Sequence, residues 1–148
     1  EKEMMKEVVV FGAHNGAISE CLDHPILLEY DNDYFDILRK KFDEIDIFYS
    51  VGAYTSFENN RFKYCLVMDY WIYLDEPLLE SVVKEATRVA DKVLIIYRIT
   101  HKGKDVFSSK FEKNAQLEKC LLKEKVDRKE VSYICGDYTI YWVECVKK

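Results

Sequence analysis

No two of the five cysteines (Cys21, Cys65, Cys120, Cys135, Cys145) form a CxxC pair, their number is odd, and the three histidines are scattered without ligand spacing. That pattern argues against a metal or disulfide role and favours reduced, buried thiols in a cytoplasmic protein, with no metal site expected. No apolar run approaches the roughly 20 residues needed to cross a bilayer, so a membrane span is not expected. The opening EKEMMKE lacks the apolar core of a secretory signal. Since the chain starts at Glu1 and not at Met, a trimmed or excised product is the expectation. Positive charge is not in excess: the net charge is -5, with acids and bases interspersed. This argues against a partner held by phosphate neutralisation, and so against a dedicated nucleic-acid binder. There is no internal repeat, linker or low-complexity stretch. The single glutamine leans toward a heat-adapted source, while the five cysteines lean the other way.

What is present is ordinary for a globular chain: 49% hydrophobic and 33% charged residues in 148, enough for one domain over 1–148 with a real core. Short apolar runs at 8–11, 26–28, 45–49, 64–68 and 93–96 read as buried strands. Between them lie segments of helical spacing. A brief one covers 16–22. The next is capped by Asp31 or Asn32 and carries Tyr34, Phe35, Leu38 and Phe42 on one face. The clearest starts at Asp75-Glu76-Pro77 and carries Leu78, Leu79, Val82, Val83, Ala86, Val89 and Ala90. A fourth covers 109–125. Alternation of this kind predicts a parallel sheet with helices on both faces. The charged tract KEKVDRKE reads as a solvated turn. The chain then closes on KEVSYI and YTIYWVECV, two period-2 strands around Cys135-Gly136-Asp137, which predict an antiparallel hairpin.

Four local patterns join this order of elements. VVVFGAHNGAI puts a strand into a turn with glycines at 12 and 16, Gly12 for a sharp bend and Gly16 for close approach of backbone. A dinucleotide GxGxxG would need glycines at 12, 14 and 17, and of these only Gly12 is present. PILLE ends on Glu29, 17 residues beyond Gly12, with Tyr30 next. Gly52-Ala53-Tyr54 follows the third strand. YCLVMDYW places Asp69, Tyr70 and Trp71 at the carboxyl end of the fourth, and Arg88-Val89 lies near the end of the long helix. Together these resemble the class I S-adenosylmethionine-dependent methyltransferases, from Val8 to Val146.

The resemblance implies an α/β, three-layer α/β/α sandwich around a mostly parallel seven-stranded sheet with an antiparallel C-terminal hairpin. It implies S-adenosylmethionine as cofactor, held by Phe11, Gly12, His14, Gly16, Glu29, Tyr30, Ala53 and Asp69. In it Glu29 accepts from both ribose hydroxyls and Tyr30 lies against the adenine. The family's Asp that meets the adenine amine is replaced by Ala53, which leaves a backbone N–H to serve the adenine. His14, in place of the family's middle glycine, either tolerates an unusual backbone angle or meets the cofactor carboxylate or the substrate. Asp69, Tyr70 and Trp71 would form the methyl-transfer site, with Asp69 taking or orienting the acceptor's proton and the rings walling the site. The Pro-Pro of the amino-group enzymes is missing after Asp69, so that activity is not carried over.

Two function classes stay open. Gly12, Gly16, Glu29 and Asp69 favour an active methyltransferase with an acceptor of unknown class. Val10, His14 and Ala53, where the family has acids or glycine, favour a catalytically degenerate binding or scaffold subunit. Oxidoreduction with a nicotinamide cofactor is disfavoured by the glycine spacing and the closing hairpin. With little sequence before the first strand and no lid insertion, an open site is expected, completed by a large substrate, by a homo-oligomer or by a partner subunit.

Overall fold

A computed structural model describes residues 7–100, 106–135 and 138–148 of the chain. The opening EKEMMK, His101 and the turn pair Gly136-Asp137 lie outside the described residues. The strands are β1 (Val8–Phe11), β2 (Ile26–Glu29), β3 (Ile47–Tyr49), β4 (Phe62–Val67), β5 (Ala90–Thr100), β6 (Val126–Cys135) and β7 (Tyr138–Lys147). The helices are α1 (Asn32–Lys41), α2 (Glu76–Val89) and α3 (Val106–Leu122). The sheet runs β3-β2-β1-β4-β5-β7-β6. Every pair from β3 to β5 is parallel, and β5–β7 and β7–β6 are antiparallel, as the alternation and the closing hairpin predict.

The apolar runs become strands because the sheet centre is covered on both faces: Val9, Val10 and Phe11 of β1 are all buried. One face carries α2 and α3, with Leu79, Val82, Val83, Ala86, Leu117 and Leu121 packed against Cys65, Val67, Val93, Ile95, Val143 and Cys145. Burying each Leu or Val side chain there stabilises the fold by about 1.5–3 kcal/mol. The other face carries α1, whose Leu38 packs with Val10, Leu27 and Leu66. Cys65, Cys120 and Cys145 are buried free thiols and Cys21 is an exposed one. Burial pushes the Cys145 thiol up to about 11. Among the described residues no helix is long and apolar enough to cross a membrane.

Three expectations change. The segment at 16–22 forms only a 3₁₀ turn at Ser19–Cys21. Left-handed backbone at His14 (φ 57) and Gly16 (φ 80) precedes it, and the Asn15 side chain takes the Ala17 N–H, so the chain enters as a series of turns. The tract KEKVDRKE is a turn only at its start, since β6 begins at Val126 and pairs Val126–Glu130 with β7. β5 reaches Thr100 because its pairing with β7 runs past the part buried beside β4.

Candidate functional site

Parallel strands bring their carboxyl ends to one edge, and the chain order changes direction between β1 and β4, where open α/β sheets bind ligands. A cleft of about 400 Å³ lies there, lined by Gly12, His14, Glu29, Tyr30, Asp31, Tyr34, Asp69, Tyr70 and Tyr73. Three strand ends thus contribute to it: Gly12 follows β1, Glu29 ends β2, and Asp69 opens a 3₁₀ turn (Asp69–Tyr73) after β4.

The turn after β1 is tied to β2. The Gly12 and Ala13 amides both donate to the Leu28 carbonyl at 3.0 Å. The His14 amide donates to Glu29 Oε1 at 2.7 Å. His14 itself adopts φ 57, and its exposed ring lies on Tyr34, with centroids 3.7 Å apart. Its tolerance of left-handed backbone accounts for its place in the turn, and its ring also forms part of the cleft wall.

Glu29 is buried, with an exposure of 4%. Besides His14, it accepts the amides of Tyr30 and Asp31, both at 3.0 Å on Oε2. A carboxylate offers about four lone-pair positions. Three are taken by the chain's own backbone, leaving one on Oε1 for a ligand hydroxyl. The expected capture of both ribose hydroxyls therefore has room for one. Asp31 caps α1, accepting the Asp33 amide at 3.0 Å and the Tyr34 amide at 3.3 Å on Oδ1.

Tyr70 lies across the strand ends. Its ring rests on Gly12, and a Cβ there would stand 2.2 Å from Tyr70 Cδ1. Its hydroxyl donates to the Val51 carbonyl at 2.7 Å, and its ring centroid is 5.8 Å from that of Tyr30. Burial, followed by the charges of Cys65, Tyr30 and Glu29, pushes the Tyr70 phenol well above its usual value, so it acts as a donor and not as a base. Burial, then Glu29 and Asp31, raises Tyr30 as well.

No protein-family model and no curated protein sequence matches the chain. Solved structures do. A protein from Pyrococcus horikoshii OT3 superposes with a TM-score of 0.73 at 12% identity, over 97% of this chain and 83% of that one. Magnesium protoporphyrin IX methyltransferase from Synechocystis PCC 6803, with bound SAH, gives 0.72 at 12% identity, over 95% and 73%. Geranyl diphosphate C-methyltransferase from Streptomyces coelicolor A3(2), in complex with Mg2+, geranyl diphosphate and S-adenosyl-L-homocysteine, gives 0.71 at 8% identity, over 99% and 73%. The chain has the class I methyltransferase fold.

Within this methyltransferase fold, the residues singled out from sequence divide into two groups. Gly12, His14, Glu29, Tyr30, Asp69 and Tyr70 meet in the cleft. Phe11, Gly16, Ala53 and Trp71 do not line it. Phe11 is fully buried, packed under Gly52. Gly16 faces α1, where a Cβ would stand 2.6 Å from Phe42 Cε2 and 2.9 Å from Leu38 Cδ2, so its close approach serves helix packing. Ala53 is buried beside a separate hollow with Tyr54, Glu85 and Arg88. Trp71 is fully buried, and its indole N–H donates to the Ile96 carbonyl at 3.0 Å, so it anchors the 3₁₀ turn to β5 and is not a site wall.

Three cleft residues went unassigned from sequence. Asp31 and Tyr34 belong to the cap and first turn of α1 and share the cleft wall with Glu29. Tyr73 stands three residues after Tyr70, and in a 3₁₀ turn that spacing eclipses two side chains. Among the described residues no group of His, Cys, Asp and Glu is placed to hold a metal ion.

Proposed function

We propose that the chain is an S-adenosylmethionine-dependent methyltransferase, with cofactor and acceptor meeting in the cleft at the carboxyl ends of β1, β2 and β4. The observation that carries this reading is the convergence of Gly12, Glu29 and Asp69 from three strand ends on one cleft of about 400 Å³. The donor set fits the cofactor: Glu29 keeps one acceptor position for a hydroxyl, and the Tyr30 ring offers a face for a flat base. When bound, the cofactor supplies a methyl group already activated on a sulfonium. The chain's residues then have to bring the acceptor into line, with Asp69 orienting it or taking its proton.

Glu29, Asp31 and Asp69 together with four tyrosines give an acidic, aromatic wall that favours a cationic sulfonium. No Lys or Arg lines the cleft among the described residues, which favours a neutral or cationic acceptor over a phosphate-bearing one. Tyr73 is 80% exposed at the rim, in keeping with an open mouth that a large acceptor or a partner subunit completes. The free thiols support a reducing, cytoplasmic setting.

A second reading, a degenerate scaffold subunit, is favoured by the chain's own amides, which take three of the roughly four acceptor positions of Glu29. Thermal melting with S-adenosylhomocysteine separates the two. At a hundred times its dissociation constant the ligand adds about 2.7 kcal/mol, a rise of about 5–10 °C for a domain of this size. Glu29→Ala should abolish the rise. Asp69→Ala should keep it and reduce methyl transfer. A flat curve at millimolar ligand leaves the scaffold reading.

A further inference from the structure

The ring of Tyr70 fills the crevice between the ends of β1 and β4, the place in an open α/β sheet where a ligand enters. Its Cδ1, Cε1 and Cγ atoms would stand 2.2, 2.7 and 2.8 Å from a Cβ at Gly12. The ring is pinned at its far end by the 2.7 Å bond from its hydroxyl to the Val51 carbonyl. Tyr30 stands beside it at 5.8 Å, tilted by 53°. A flat ring with a polar hydrogen at its tip thus lies over the glycine turn, against an aromatic neighbour, donating to the backbone after β3. An adenine base with its exocyclic amine would make the same set of contacts.

We propose that Tyr70 is an internal occupant of the adenine subsite, and that a ligand enters only when Tyr70 turns out and gives the Val51 carbonyl to the ligand's amine. This deepens the methyltransferase reading and rests on it. Two features make the exchange feasible. Tyr70 sits in a five-residue 3₁₀ turn that Trp71 also anchors to β5, so the turn keeps an anchor when the Tyr70 bond is given up. Tyr70 itself lines a cleft of about 400 Å³, together with Tyr34 and Tyr73, which offers space for a ring that turns out.

The test is calorimetric and stopped-flow binding of adenosine and of S-adenosylhomocysteine to the unmodified chain, Tyr70→Phe and Tyr70→Ala, with circular dichroism confirming that each is folded. Tyr70→Phe keeps the ring's shape and loses only the tether. One hydrogen bond contributes about 1 kcal/mol net, so affinity should rise about fivefold, carried by a faster association rate with dissociation little changed. A merely structural tyrosine would not speed association. Binding by either variant where the unmodified chain shows none also supports the proposal. Equal or weaker binding by a folded Tyr70→Phe overturns it while leaving the methyltransferase reading intact. Absence of binding by all three at millimolar ligand overturns both.

Discussion

Glu85 belongs to α2 but holds a loop. Its Oε2 accepts the Thr55 amide at 2.5 Å and the Thr55 hydroxyl at 2.6 Å, and Arg88 grips Oε1 and Oε2 through Nε at 2.6 Å and Nη2 at 3.0 Å. Arg88 Nη1 also reaches Asn59 at 2.7 Å, so the segment between β3 and β4 is fastened to the helix. Burial pushes the Glu85 carboxyl up, but the hydrogen bonds of Arg88 and Thr55 and the Arg88 charge outweigh it, and the group ends below its ordinary 4.5. A lowered folded pKa stabilises the fold above the ordinary value, and the contribution is lost as pH falls through the folded one. The stability gap between the unmodified chain and Glu85→Gln, from urea unfolding, should therefore hold steady above pH 5.5 or so and shrink below 4.5. A gap unchanged down to pH 3 would contradict the assignment. Sequence alone shows none of this cluster, since Glu85 and Thr55 meet only once the loop folds over α2. Glu29 is the opposite case: a carboxylate ending an apolar run must sit at a strand end. Its three amide partners stay hidden, because that of His14 depends on the left-handed turn after β1 and those of Tyr30 and Asp31 on the path of the chain out of β2.

Elements with their own start signals are the ones the sequence shows best. α2 begins where Asp75 Oδ1 accepts the Leu78 amide at 2.9 Å, with Pro77 in the first turn and an apolar stripe behind it. α1 begins in the same way at Asp31. In the expected helix at 16–22 the Asn15 side chain does take the Ala17 amide, but the left-handed backbone at His14 and Gly16 leaves only Ser19–Cys21 coiled. The hairpin pairs as its alternation predicts, but its charged start reads as a turn in the sequence, because an edge strand tolerates charge that a central one does not. The cap gives a direct test. Asp75→Ala should cost about 1 kcal/mol and lower the melting temperature by about 2–4 °C. Ligand affinity should stay unchanged, since Asp75 does not line the cleft. A loss of affinity would mean that α2 reaches the site.

At the scale of the whole molecule the sheet has two unequal edges. β3 is three residues long, too short to template another strand. Among the described residues β6, ten residues long, pairs with β7 alone, so its outer side is a sheet edge. Its first half, Asp127-Arg128-Lys129-Glu130, is exposed and charged, with Arg128 bound to Glu118 of α3 at 2.5 Å. The same tract that reads as a turn in the sequence thus puts charge along the longer edge, an arrangement that disfavours pairing with other chains. Asp127 and Lys129 alternate along the strand and so project from one face. Replacing both by valine removes one charge of each sign, so the net charge stays at -5 and the edge alone is altered. The double variant Asp127→Val, Lys129→Val should keep its unfolding free energy within about 0.5 kcal/mol. In size-exclusion chromatography with light scattering its mass should climb with concentration, while that of the unmodified chain stays constant. A variant whose mass is as constant as the parent's would show that length or twist, and not charge, keeps β6 from pairing.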